Sequence, residues 1–153
     1  MQEMINFHGV ALEFNQMGIL ITGASGIGKT TSALRVVQEG HYWIADDIVV
    51  VKRNQKGELI VRGHAKIKKL LHTKKTGIVP VKEILDSNRI KNQTNLAGII
   101  EVRNAFISGC SSVTEEIEIL GTKLPCLQIR IPSPGYFNKN LLKKAILQLQ
   151  KDS

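Results

Sequence analysis

Aromatic residues make up only 5% of this 153-residue chain: one tryptophan, two tyrosines and four phenylalanines. So little aromatic surface leaves no stacking platform for nucleic acid, and no recognition-helix pattern is present. The two cysteines, Cys110 and Cys126, are too few for a disulfide scaffold and lack metal-ligand spacing, so a reducing cytoplasm is the expected setting. No apolar run approaches the ~18 residues of a membrane-spanning helix. From Met1 to Phe7 the chain carries Glu3 and no basic stretch ahead of an apolar block, so no signal peptide is expected. Internal repeats, low-complexity tracts and linkers are missing too. A single α/β domain over residues 1–153 is the expectation, since one core commonly serves about 100–150 residues.

What the chain has in excess is positive charge, +8 from 21 Lys and Arg against 13 acids. Between Lys52 and Lys91 twelve basic residues face three acidic ones, so the whole excess sits in this middle segment. Such a stretch suits nucleotide phosphates or an acidic partner, and equally a solvated lysine-rich face.

Periodicity gives a coarse map. Met4 to Phe14 and Met17 to Thr22 read as strands joined at Asn15-Gln16. Lys29 to Glu39 reads as a helix with Gly40 just past its end. Tyr42 to Ala45 and Ile48 to Lys52 are short β-rich runs flanking Asp46-Asp47, and Asn54 to Gly57 turns the chain back into a strand over Glu58 to Arg62. Ala65 to Leu71 has the spacing of a short basic amphipathic helix. Further strands are expected at Gly77 to Val81, Leu96 to Val102, Glu116 to Leu120 and Cys126 to Ile131, with Asn88 to Asn95 a loop and Pro132 to Gly135 a turn. Leu141 to Leu149 closes the chain as an amphipathic helix, with Asn140 as a candidate cap.

One motif carries chemistry. Gly23-Ala24-Ser25-Gly26-Ile27-Gly28-Lys29-Thr30 follows G-x-x-x-x-G-K-[ST], with an apolar strand entering it and a helix leaving it. Glycines let successive N–H groups converge on a phosphate, and the helix start adds its positive end. In such a loop Lys29 reaches the β- and γ-phosphates of a nucleotide and the Thr30 hydroxyl ligates Mg²⁺; Thr31 completes the nucleotide-binding run. Seventeen positions beyond Lys29, Asp46-Asp47 offers two carboxylates. Phosphoryl transfer to a hydroxyl needs a carboxylate near the metal and a base, although aspartate pairs also populate solvated turns. Spacing does not assign the two tasks between them.

The order His8-Gly9-Val10, GILITGASGIGKTTSALRVV from Gly18, Gly40-His41, Ala45-Asp46-Asp47, Glu118-Ile119-Leu120-Gly121, Lys123-Leu124-Pro125 and Pro134-Gly135 closely resembles the catalytic domain of bacterial HPr kinase/phosphorylase. The family's usual N-terminal domain has no counterpart, so the chain looks like a short, catalytic-domain-only member. The resemblance implies a β-rich P-loop fold of the HPr kinase and phosphoenolpyruvate carboxykinase type. It implies transfer of a phosphoryl group, from ATP or pyrophosphate, to a serine of an HPr-like phosphocarrier protein, by a homo-oligomer that in the family is commonly hexameric. By motif, Lys29 would bind the phosphates, Thr30 hold Mg²⁺, Asp46 act as general base with Asp47 its metal-associated neighbour, and His8 stand near the reacting phosphate.

Three departures bear on direction. Where the family has Glu-Ile-Arg-Gly this chain has His72-Thr73-Lys74-Lys75, its Asp-Arg element has no counterpart among Ala105 to Val113, and its late Arg-Pro-Gly-Arg-Asn becomes Ser133-Pro134-Gly135-Tyr136-Phe137-Asn138. The expected activity is therefore that of an ATP- and Mg²⁺-dependent protein serine/threonine kinase with little or no phosphorylase activity. A nucleotide-binding regulatory module that has lost phosphotransfer is the rival, and a P-loop kinase acting on a small metabolite is a third reading. Neither nucleic acid nor membrane is an expected partner.

Overall fold

The computed structural model describes residues 3–64, 70–73 and 77–152. It opens with a hairpin of β1 (Met4–Phe14) and β2 (Met17–Gly23), whose turn residues Asn15 and Gln16 both have positive φ. That is the backbone twist a two-residue hairpin requires. Helix α1 (Lys29–Gln38) follows, then β3 (Tyr42–Arg53), β4 (Leu59–Gly63), β5 (Leu70–Thr73) and β6 (Gly77–Pro80). Two single-turn 3₁₀ helices, Val81–Glu83 and Ser87–Arg89, lead into β7 (Gln93–Ala105), β8 (Ser111–Ile119), β9 (Thr122–Pro132) and helix α2 (Lys139–Asp152).

The main sheet runs β2-β1-β3-β4-β7-β9-β8, and β7 pairs with β2 as well. Length lets β7 serve three neighbours. Its first residues pair with β4 (Asn95 opposite Ile60), the stretch Leu96 to Val102 lies parallel to β2, and Ile99 to Ala105 lies parallel to β9. Five strands, β2, β1, β3, β4 and β7, thus curl into a ring, while β9 and β8 extend from it as a wing. Strands β5 and β6 form a separate two-stranded ribbon.

Alternation along the strands sorts two cores. Val10, Leu12, Phe14, Ile19, Ile21, Ile100 and Val102 face the helices, and there meet Ala33, Val36 and Val37 of α1 and Leu142, Ile146 and Leu149 of α2. Ala11, Leu20, Ala45, Val49, Val51, Val61 and Ile99 face the other way and pack together. Each fully buried aliphatic side chain contributes roughly 1.5–3 kcal/mol, so the helices are held chiefly by this packing. Glu39, just past α1, adds a clasp by pairing with Lys139 at 2.7 Å and Lys143 at 2.8 Å of α2. These hydrogen bonds hold its carboxyl down at about 2.

Several expectations are corrected. The two runs flanking Asp46-Asp47 are one strand, β3, because pairing with β1 runs unbroken through Asp46 and Asp47 even though Asp47 has φ 71°, and the register shifts only between Ala45 and Trp43. Of the expected helix Ala65 to Leu71, residues 65–69 lie outside the described residues, and Leu70 and Leu71 belong to β5. The expected loop Asn88 to Asn95 already contains the start of β7, and β8 begins five residues before the expected Glu116. The cap of α2 is Asn138, whose side-chain oxygen accepts from the Leu141 N–H at 2.9 Å, not Asn140. For the site, one consequence matters most. Strands β2, β7 and β9 are mutually parallel, so their carboxyl ends lie along one edge.

Candidate functional site

The glycine-rich loop springs from that edge. Ser25 and Gly26 form its exposed tip, and Ile27, 3% exposed, drops back into the helix-side core. The Ile27 carbonyl accepts from the Phe137 N–H at 2.8 Å, which ties the loop to the segment after β9. Gly28 has φ 107°, and a Cβ there would stand 2.7 Å from the Phe137 carbonyl oxygen, so only glycine fits. Among the described residues no side chain caps α1, and its first N–H groups remain available at the loop. Thr31 is exposed on α1.

Lys29 is 6% exposed. Its ammonium donates to the carbonyls of Gly23 at 2.7 Å and Ala24 at 2.9 Å. Burial pushes its pKa down, against an opposing pull from the Asp46 charge. A buried ammonium resting on two neutral carbonyls is hydrogen-bonded but poorly compensated in charge.

Pairing of β1 with β3 sets Asp46 opposite Val10, Asp47 opposite Gly9 and Ile48 opposite His8. Asp46 is 4% exposed. Its Oδ1 accepts from the Thr30 hydroxyl at 3.0 Å and from the Asp47 N–H at 2.8 Å. Asp47 lies instead against His8, Nε2 to Oδ1 at 3.2 Å. The left-handed backbone of Asp47 costs of order 1–3 kcal/mol for a non-glycine residue, and such strain gathers at functional sites. The structure thus brings Lys29, Thr30 and Asp46 together, with His8 and Asp47 as an adjoining pair. Lys66, Lys68, Lys69, Lys74 and Lys75 fall outside the described residues, and of His72 only its place in β5 is described.

Sequence reasoning missed what lines the other side of the loop. A cleft of about 480 Å³ has Gly23 and Ala24 on one wall and Glu101, Arg103 and Asn104, from the end of β7, on the other. The available signal was a pair of opposite charges and an asparagine closing an apolar strand, but nothing local says that β7 lies beside β2.

Comparison with known proteins decides the family. A model of the HPr serine kinase C-terminal domain matches residues 1–152. The chain belongs to this family. It is 29% identical over 132 residues to the HPr kinase/phosphorylase of Brevibacillus brevis, covering 84% of this chain and 42% of that protein. To the enzyme of that name from Pediococcus pentosaceus it is 35% identical over 102 residues, 67% of this chain and 33% of the relative. The chain therefore spans well under half the length of these curated relatives. The fold matches the solved Hpr(Ser) kinase/phosphatase of Coxiella burnetii with a TM-score of 0.77, at 21% identity, over 95% of this chain and 99% of that one. Membership and the structural match account for the mixed β-rich sheet and two helices described above.

The residues fit a nucleotide phosphate chain and Mg²⁺. An under-compensated buried lysine beside uncapped helix N–H groups wants an anion. The hydroxyl of Thr30 and the carboxylate of Asp46 are hard oxygen donors, and Mg²⁺ takes one or two carboxylates plus phosphate oxygens rather than a full protein cage.

Proposed function

We propose that the chain is an ATP- and Mg²⁺-dependent protein kinase that phosphorylates a serine of an HPr-like phosphocarrier protein. One observation carries this: Lys29, Thr30 and Asp46 converge at the start of α1, with Asp46 within reach of the Thr30 hydroxyl. Lys29 leaves the loop carbonyls to neutralise the β- and γ-phosphates, and the loop N–H groups hold the chain of phosphates in line. Thr30 and Asp47 would hold Mg²⁺, which would supply further neutralisation of phosphate charge. Asp46 accepts the proton of the serine hydroxyl. His8 orients the Asp47 carboxylate at the rim. The forward reaction dominates, because the family's late arginine element is Ser133 to Asn138 here.

The rival is a nucleotide-binding regulatory module, favoured by His72 and Lys74 standing where the family pattern has glutamate and arginine. Labelled ATP, Mg²⁺ and the HPr-like proteins of the host separate the two. The wild-type chain should label a serine, and Asp46→Asn should reduce labelling by about 10²-fold or more with nucleotide still bound. A wild-type protein that binds ATP but labels none of these acceptors would establish the module instead.

A further inference from the structure

Crevices at the carboxyl ends of parallel strands are where open α/β sheets take ligands. Here β2 delivers the glycine-rich loop to such an edge and β7 delivers Glu101, Arg103 and Asn104. From β9 comes Arg130, in register with Arg103. The Lys29 ammonium, which serves β- and γ-phosphates in such loops, rests on Gly23 and Ala24, and these two residues also line the cleft between the loop and β7. A phosphate chain held at the loop therefore has this cleft beside it.

Glu101 and Arg103 are two apart on β7 and share a face, and register sets Arg130 on that face too. Two guanidinium groups thus stand with one carboxylate. Glu101 Oε1 makes an ion pair with Nη2 of Arg103. That oxygen is buried, yet it has no aligned hydrogen-bond partner among the described residues. The pair therefore lacks the parallel N–H···O bonds that make arginine–carboxylate contacts strong. Arg103 itself is 66% exposed. It is a loosely held donor on the wall of the cleft.

We propose that this cleft is an oxyanion subsite beside the glycine-rich loop, with Arg103 as its donor and Glu101 as the latch that restrains Arg103 when no anion is bound. The proposal rests on the phosphotransfer reading above and adds a second anion next to the phosphate chain: a carboxylate or phosphoryl group, carried by the acceptor or free in solution. A forked guanidinium binds either group bidentately. Arg130 raises the local positive charge from the neighbouring strand.

The probe is orthophosphate, titrated by calorimetry into protein saturated with ADP and Mg²⁺, so that the loop is already filled. Arg103→Ala should weaken phosphate binding at least tenfold and leave ADP affinity within twofold. Glu101→Gln, which releases the latch, should strengthen it several-fold, an opposite sign that a merely structural role would not produce. A serine peptide flanked by glutamates, added as competitor, identifies the source. Displacement of phosphate assigns the subsite to an acidic side chain of the acceptor, and failure to displace assigns it to free phosphate. Normal ADP binding with phosphate affinity unchanged in Arg103→Ala, or lowered alike by both substitutions, would overturn the subsite alone. Failure of the wild-type protein to bind ADP would overturn the reading of the loop and the subsite with it.

Discussion

The two ends of the β1–β2 hairpin each bury a charged side chain, and they treat it in opposite ways. Near the Asn15-Gln16 turn, Glu13 is 7% exposed, and both of its oxygens are engaged, Oε2 by the Lys91 ammonium and Oε1 by the Thr94 hydroxyl, each at 2.6 Å. Lys91 also lies over the Tyr42 ring, 4.2 Å from its centre, and its N–H donates to the Trp43 carbonyl at 2.9 Å. This knot ties the approach to β7 onto β1 and β3. At the loop end, Lys29 is buried as deeply, but its partners are two neutral carbonyls. A buried charge with a matched counter-charge holds a fold together. At Lys29 the Asp46 charge offsets burial only in part, and the pKa stays lowered.

Substitution at each end should break the comparison in opposite directions. The largest effect is expected at the loop. Lys29→Ala should lower nucleotide affinity about 10²-fold or more, the worth of hydrogen bonds to a charged group. Its melting temperature should hold or rise, because an ammonium that pays for burial has gone. Calorimetric titration and thermal unfolding of both proteins check this. Equal nucleotide affinity would defeat the assignment of Lys29.

At the other end the signature reverses. Lys91→Met strands the Glu13 carboxylate with only Thr94 and should cost about 2 kcal/mol of stability. Urea unfolding should show a lower midpoint at unchanged slope, with nucleotide affinity as in the wild type. A variant as stable as wild type would mean that the knot contributes nothing.

The smallest effect sharpens the contrast through pH. Burial alone would raise the pKa of Glu13, but the hydrogen bonds from Lys91 and Thr94 and the Lys91 charge outweigh it, and the net shift is downward from 4.5. A carboxylate depressed in the folded state binds fewer protons there than when unfolded. Its stabilisation is complete above about 4.5 and is lost as pH falls through the lower native value. Glu13→Gln should therefore flatten the loss of stability with acid in that window and leave the neutral-to-basic range parallel to wild type. An unaltered acid slope would contradict the assignment.

Local chemistry was legible in the sequence wherever neighbours in the chain carried it. The strands from Met4 and Met17, the turn between them and the helix from Lys29 all follow from spacing and from residues tolerant of positive φ. The break in β3 was misread, because Asp46-Asp47 looks like the end of a strand until β1 is seen pairing across it. Strand β8 starts early for the opposite reason. Exposed from Ser111 to Glu116, it lacks the one-sided alternation that marks a half-buried strand. In the site, the glycine-rich loop was readable as consecutive residues. That Asp46 rather than Asp47 meets the Thr30 hydroxyl depends on β1–β3 register, and the wall formed by Glu101 and Arg103 depends on β2 lying beside β7. Neither pairing leaves a trace in local spacing.

The bonds from Lys29 to Gly23 and Ala24 have a kinetic side as well. They make the two carbonyls tethered competitors for the ammonium, and a tethered group acts at an effective concentration that free ligands rarely match. Any incoming anion is weighed against that internal rival, and its apparent affinity falls by the fraction of time the lysine is released. A small monoanion trades two carbonyl contacts for one weak one and gains little, whereas a polyphosphate chain engages the ammonium, the helix N–H groups and the metal at once. On the proposed reading, such a loop would favour solutes of high charge density over the background of small cellular anions.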